Sequence, residues 1–76
     1  MPERLVPVSG KEVVRKLKRA GFQIVRIKGG AHYLKHPQTG RFTSVHVHGS
    51  QAIPVGTLRA IVIEQAGLKA EDFNRR

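Results

Sequence analysis

The sequence contains no cysteine and no tryptophan, few acidic residues and no long apolar run. Without cysteine there is no disulfide framework and no thiolate metal site, so packing alone must hold the fold. A reducing, cytoplasmic setting is the expectation. No segment approaches the roughly 20 apolar residues that span a bilayer, and Met1-Pro2-Glu3-Arg4-Leu5-Val6-Pro7 lacks the apolar core of a secretory signal. A helix lying on a membrane would show a stripe of Trp, Phe or Leu, whereas the three phenylalanines are scattered. No membrane partner is expected. Walker, Rossmann, nucleophile-elbow and zinc-finger patterns are also missing. The scarcity of acid is the most informative lack: five Asp/Glu stand against 14 Lys/Arg, a formal net charge of +9 over 76 residues. Such a field favours polyanions, with nucleic acid ahead of an acidic protein or an anionic membrane surface.

A chain this short makes one domain, 1–76, and buries only about 60% of its unfolded surface. Ser9-Gly10-Lys11-Glu12 reads as a capping box, with the Ser9 hydroxyl taking an orphan backbone N–H and Glu12 reaching back to the Ser9 amide. Val13, Val14, Leu17 and Ala20 then recur at helical spacing, opposite Lys11, Arg15, Lys18 and Arg19, until Gly21 ends the helix. Phe22 to Lys28 is a β-branched strand, with Phe22, Ile24 and Arg26 on one side, Gln23, Val25 and Ile27 on the other, and partial burial expected on both. Gly29-Gly30 signals a turn, Ala31 to His36 a second strand, Pro37 to Gly40 another turn, and Arg41 to His48 a third strand. Pro54 suits the first turn of a second helix, whose Leu58, Ile61, Val62 and Gln65 share a face before Gly67. Leu68 and Phe73 are expected to pack back on the core, with fraying at about 1–8 and 74–76. The predicted fold is α+β, in the order α-β-β-β-α: a three-stranded antiparallel meander with both helices on one face. That is the order of the double-stranded-RNA-binding fold, although order alone does not fix function.

Four histidines fall in two clusters, His32 with His36 and His46 with His48, each pair projecting to one face of its strand. A metal site would need further ligands, and the sequence offers no cysteine and no acid outside the predicted helices and termini, so no metal or cofactor is expected. His32 follows a glycine turn, where backbone N–H groups can face a phosphate, with Arg26, Lys28 and Lys35 near it in sequence. RNA cleavage requires a base for the 2′-hydroxyl proton, an acid for the leaving oxygen and cations for the developing charge. Histidine as a residue type serves either proton role near neutrality. Spacing by itself equally allows a strand-packing histidine. The cations on the first helix fit phosphate contact or an ordinary solvated face. Tyr33 and Phe42 fit base stacking or core packing.

In order and spacing, Ser9-Gly10-Lys11-Glu12-Val13-Val14, Ala20-Gly21-Phe22, Arg26-Ile27-Lys28-Gly29, His32, His36-Pro37, Val45-His46-Val47-His48-Gly49, Ile53-Pro54-Val55-Gly56-Thr57-Leu58-Arg59-Ala60-Ile61 and Gln65-Ala66-Gly67-Leu68 resemble the HicA-type (YcfA-like) mRNA interferase toxins. The resemblance implies a double-stranded-RNA-binding-like fold and a metal-independent endoribonuclease that cleaves mRNA. It also implies a HicB-type antitoxin partner and a free chain that is monomeric. His32 corresponds to the family's catalytic histidine. The Gly-Ser-x pattern before it reads Gly29-Gly30-Ala31 here, so any hydroxyl contribution at Gly30 is missing. Lys28, Gly29, Arg26, Lys35, Lys11, Arg15 and Lys18 are the expected RNA contacts. A non-catalytic RNA-binding domain is the alternative; against it, Arg59 is the lone cation between Pro54 and Gly67.

Overall fold

The structure, a computed structural model, describes residues 3–76. Helix α1 (Gly10–Arg19) opens as its sequence suggests: the Glu12 N–H donates to the Ser9 hydroxyl at 3.3 Å. The reciprocal half of the capping box does not form. The Glu12 carboxylate instead takes two hydrogen bonds from the Arg15 guanidinium, 3.0 and 2.7 Å long, because a bidentate cation one turn along is the stronger donor. Val13, Val14 and Leu17 are buried, and Gly21 ends the helix with φ of 105°.

Strands β1 (Gln23–Lys28), β2 (Ala31–Lys35) and β3 (Phe42–His46) form an antiparallel sheet in the order β1-β2-β3. Leu34, Thr43 and Val45 face the helices and are buried, whereas Phe42, Ser44 and His46 face away, following the two-residue alternation of β3. In β1 that alternation breaks. A bulge lies between Ile24 and Arg26, so Ile24 pairs with Leu34 but Arg26 pairs with Tyr33. The extra residue moves Arg26 off the face of Ile24. Val25 and Ile27, expected to be partly buried, are 55% and 58% exposed on this edge strand.

Helix α2 (Val55–Arg59) follows Pro54 and widens into a π-helical segment (Ala60–Gln65), where the Ala66 N–H donates to the Ile61 carbonyl at 2.9 Å. Leu58, Ile61 and Val62 enter the core as their spacing predicts. Ile63, off the α-helical stripe, also packs against the core, since a wider turn changes which residues face inward. A short α3 (Ala70–Arg75) buries Phe73 completely, a contribution of about 3 kcal/mol. The ends expected to fray meet each other: Asn74 accepts from the Val6 N–H and donates to the Arg4 carbonyl and Glu3 carboxylate. The part of that expectation falling on Met1 and Pro2 lies outside the described residues. The order α-β-β-β-α and the α+β class are as predicted, with α3 appended.

Candidate active site

The β1–β2 hairpin positions His32. Gly29 and Gly30 are its two-residue turn, with φ of 54° and 85°. Two successive positive values define a type I′ turn, whose twist matches that of the flanking strands. The Gly30 carbonyl accepts the Val47 N–H at 2.9 Å and lies 3.2 Å from Nδ1 of His32. A carbonyl can only accept, so Nδ1 carries the proton. In the neutral ring, Nε2 is left with a free lone pair. His32 is half-buried on β2 between Ile27 and Val45. Because it is two residues from the buried Leu34, it belongs to the helix-covered face.

The register divides the expected cations between two surfaces. Lys28 pairs with Ala31 and Arg26 with Tyr33, while Lys35 pairs with Gln23 and Phe42. All three therefore lie on the open face, away from the helices, and none shares a face with His32. Lys11, Arg15 and Lys18 line the outer surface of α1. Gly10 abuts the His46 carbonyl and Val47 so closely that a Cβ has no room. That contact brings the amino-terminal turn of α1, with Lys11, to the end of the sheet that carries His32. Arg15 is tied to Glu12 in the one ion pair among the described residues. The hydrogen bond from Arg15 holds the Glu12 carboxyl below its ordinary value and pushes the guanidinium above its own. Gly29 is exposed and a Cβ there would meet nothing within 4 Å, so its backbone is approachable.

The other histidines differ in kind. Nδ1 of His36 accepts the Gln38 and Thr39 N–H groups at 3.2 and 3.3 Å, and its ring meets Phe22 edge-on at 5.1 Å. It braces the β2–β3 turn. His46 and His48 stack in parallel at 5.3 Å beside a groove of about 420 Å³ between β3 and α2. No group of three or more His, Cys, Asp or Glu side chains capable of holding a metal occurs among the described residues.

Two features escaped sequence reasoning. Lys16 is 8% exposed, and its ammonium donates to the Phe73 and Asn74 carbonyls, each at 3.1 Å, while lying 5.3 Å from the Phe73 ring centroid. The signal was its position three residues after Val13 and four before Ala20, on the apolar stripe. Tyr33 and Phe42 stack on the open face, 6.0 Å apart with 27° between ring planes. Their diagonal relation across β2 and β3 becomes visible only once the register is known.

These features define a class: a small, strongly basic α+β domain, ordered like the double-stranded-RNA-binding fold, with a tautomer-fixed histidine beside a glycine turn. Within it the assignment is specific. A family model for the HicA toxin of bacterial toxin-antitoxin matches residues 10–68, and the chain belongs to that family. No curated protein matches it. Membership makes the chain a toxin with an antitoxin counterpart. No helix among the described residues is long and apolar enough to cross a membrane.

Proposed function

We propose that this toxin is a metal-independent endoribonuclease that cleaves mRNA in the cytoplasm with His32 as its catalytic residue, restrained by a HicB-type antitoxin. The observation that carries the reading is the hydrogen-bond arrangement of His32. Nδ1–H is spent on the Gly30 carbonyl, so Nε2 is the atom left for chemistry. As a base, Nε2 takes the 2′-hydroxyl proton while the 2′-oxygen attacks the adjacent phosphorus and the bond to the 5′-oxygen breaks. The resulting imidazolium is an acid suited to protonating that leaving oxygen, and the products are a 2′,3′-cyclic phosphate and a 5′-hydroxyl. Lys11, on the α1 turn that packs against His46 and Val47, is the candidate to offset charge on the phosphate, with Lys18 extending the track along α1. Arg26 and Lys28, on the opposite face of the sheet from His32, reach a bound strand only from across the Gly29-Gly30 rim.

An antitoxin suited to this surface presents acidic groups and covers His32, so the positive field steers inhibitor and substrate alike. The free chain is monomeric in this reading. The test is His32→Ala. With one hydrogen bond lost at a half-buried site, stability should drop by only about 1 kcal/mol. RNA affinity should persist, while cleavage in the presence of a metal chelator and growth arrest on induction disappear. Undiminished cleavage by the variant removes His32 from the mechanism; absence of cleavage by wild type leaves the RNA-binding alternative.

A further inference from the structure

The open face of the sheet, opposite the one that carries His32, has no part in that mechanism. We propose that it is a second RNA-binding surface, on which Tyr33 and Phe42 stack the bases of a single-stranded segment while Arg26, Lys28 and Lys35 hold its phosphates. The proposal rests on the chain acting on RNA. Phe22 and Phe73 are buried, whereas Phe42 is 50% exposed against the half-buried Tyr33. The fold leaves this ring pair uncovered. Val25 extends the apolar floor beside it, bordered by Arg26 and Lys28. Every base offers a π-face, and stacking on an aromatic with nearby cations is the usual means of holding a single strand irrespective of sequence.

Charge selects the occupant. The chain has no acidic residue between Glu12 and Glu64, so nothing on the sheet offsets these three cations. Protein-interface cores are depleted in lysine, and two of the three are lysines immediately flanking the rings. The Gly29-Gly30 turn is the rim between the two faces and bears no side chain. A flexible strand can therefore fold over it, with bases on the open face and a phosphodiester at His32. The bulge at Val25 makes this possible, because it places Arg26 beside Tyr33.

The sequence supplies its own probe. With one tyrosine and no tryptophan, intrinsic fluorescence reports Tyr33 alone. A 2′-O-methyl RNA oligonucleotide of about ten nucleotides, within the range one small domain engages, lacks the nucleophile and cannot be cleaved. Titrating it into the full chain should quench tyrosine emission saturably. By anisotropy of a labelled oligonucleotide, the Tyr33→Leu/Phe42→Leu variant, confirmed folded by circular dichroism, should bind roughly tenfold or more weakly. Binding without quenching, together with unchanged affinity of the double variant, would overturn the proposal. So would a double variant that binds RNA normally but loses the antitoxin, since the face would then be a protein-docking surface. The ribonuclease reading is tested separately, by cleavage in His32→Ala, so either can fail while the other stands.

Discussion

Lys16 provides the sharpest check on how the cations of this protein are divided between fold and function. Its ammonium bonds the carbonyls of Phe73 and Asn74 and lies near the Phe73 ring. Lys16→Met keeps the stem and removes the charge. The bond to Phe73 is buried whereas that to Asn74 is partly buried, so water can replace the second donor more readily than the first. The Phe73 carbonyl keeps the Arg76 N–H at 3.2 Å, so it is not left unpaired; losing the buried bond to a charged donor costs about 1.5–3 kcal/mol, and the lost cation–π contact adds about 0.5–1 kcal/mol. The expected loss of about 2–4 kcal/mol is a large share of the roughly 4–11 kcal/mol typical for a chain of this length. At 4–8 °C per kcal/mol, melting should fall by about 8–32 °C. Lys18→Met, on the exposed side of the same helix, should stay within about 0.5 kcal/mol. RNA binding should show the reverse. If Lys18 contacts a phosphate, its removal reduces the slope of log affinity against log salt by about 0.7–0.9, while Lys16→Met leaves the slope unchanged. Urea denaturation and salt-dependent binding of both variants decide the matter. A Lys16→Met protein as stable as wild type would refute the assignment of this lysine to the fold.

Gly10→Ala reverses a familiar sign: alanine normally favours a helix over glycine by about 1 kcal/mol, but the His46 carbonyl occupies the Cβ position. Urea unfolding should show a loss of about 1–3 kcal/mol from overpacking. Gly30→Ala imposes a positive φ of 85° on a side chain, at about 1–2 kcal/mol, and disturbs the carbonyl that fixes the His32 tautomer. Cleavage should drop further than in Gly29→Asn, where asparagine tolerates the left-handed turn; equal activity of the two variants counts against that role. Glu12→Gln frees Arg15, and RNA affinity should rise with a steeper salt dependence. The Glu12 carboxyl is held below its ordinary value of 4.5, first by its hydrogen bond with Arg15. The pair therefore adds its stability above the ordinary carboxylate range and loses it as pH falls through the lowered value. Exposure keeps that contribution small, and an NMR titration of Glu12 should show a midpoint below 4.5.

Local chemistry was readable in the sequence wherever a short stretch is self-sufficient. The Ser9 cap, the Val13-Val14-Leu17 stripe, the Gly29-Gly30 turn and the alternation of β3 depend on neighbours within a few residues, and all are found in the structure. The capping box was legible only in part, because the Glu12 carboxylate had two possible partners and spacing does not rank them. Ile63 lies off an α-helical stripe yet packs against the core, because its turn is π-helical and spacing does not announce that. The Arg26 face was misread for a comparable reason: an alternating pattern does not reveal a bulge.

By itself, then, the sequence determined the element order, the α+β class, the excess of positive charge and the glycine turn that precedes His32. These follow from backbone propensity, periodicity and composition, which act locally or sum over the chain. Only the tertiary structure decided which charges serve which surface. The bulge at Val25 sends Arg26 to the open face with Lys28 and Lys35, docking of α3 draws Lys16 into the fold, and the approach of Val47 to Gly30 braces the carbonyl that sets the His32 proton. The last two depend on groups far apart in the chain meeting at hydrogen-bond distance, the first on the register of two paired strands, and no local pattern encodes either.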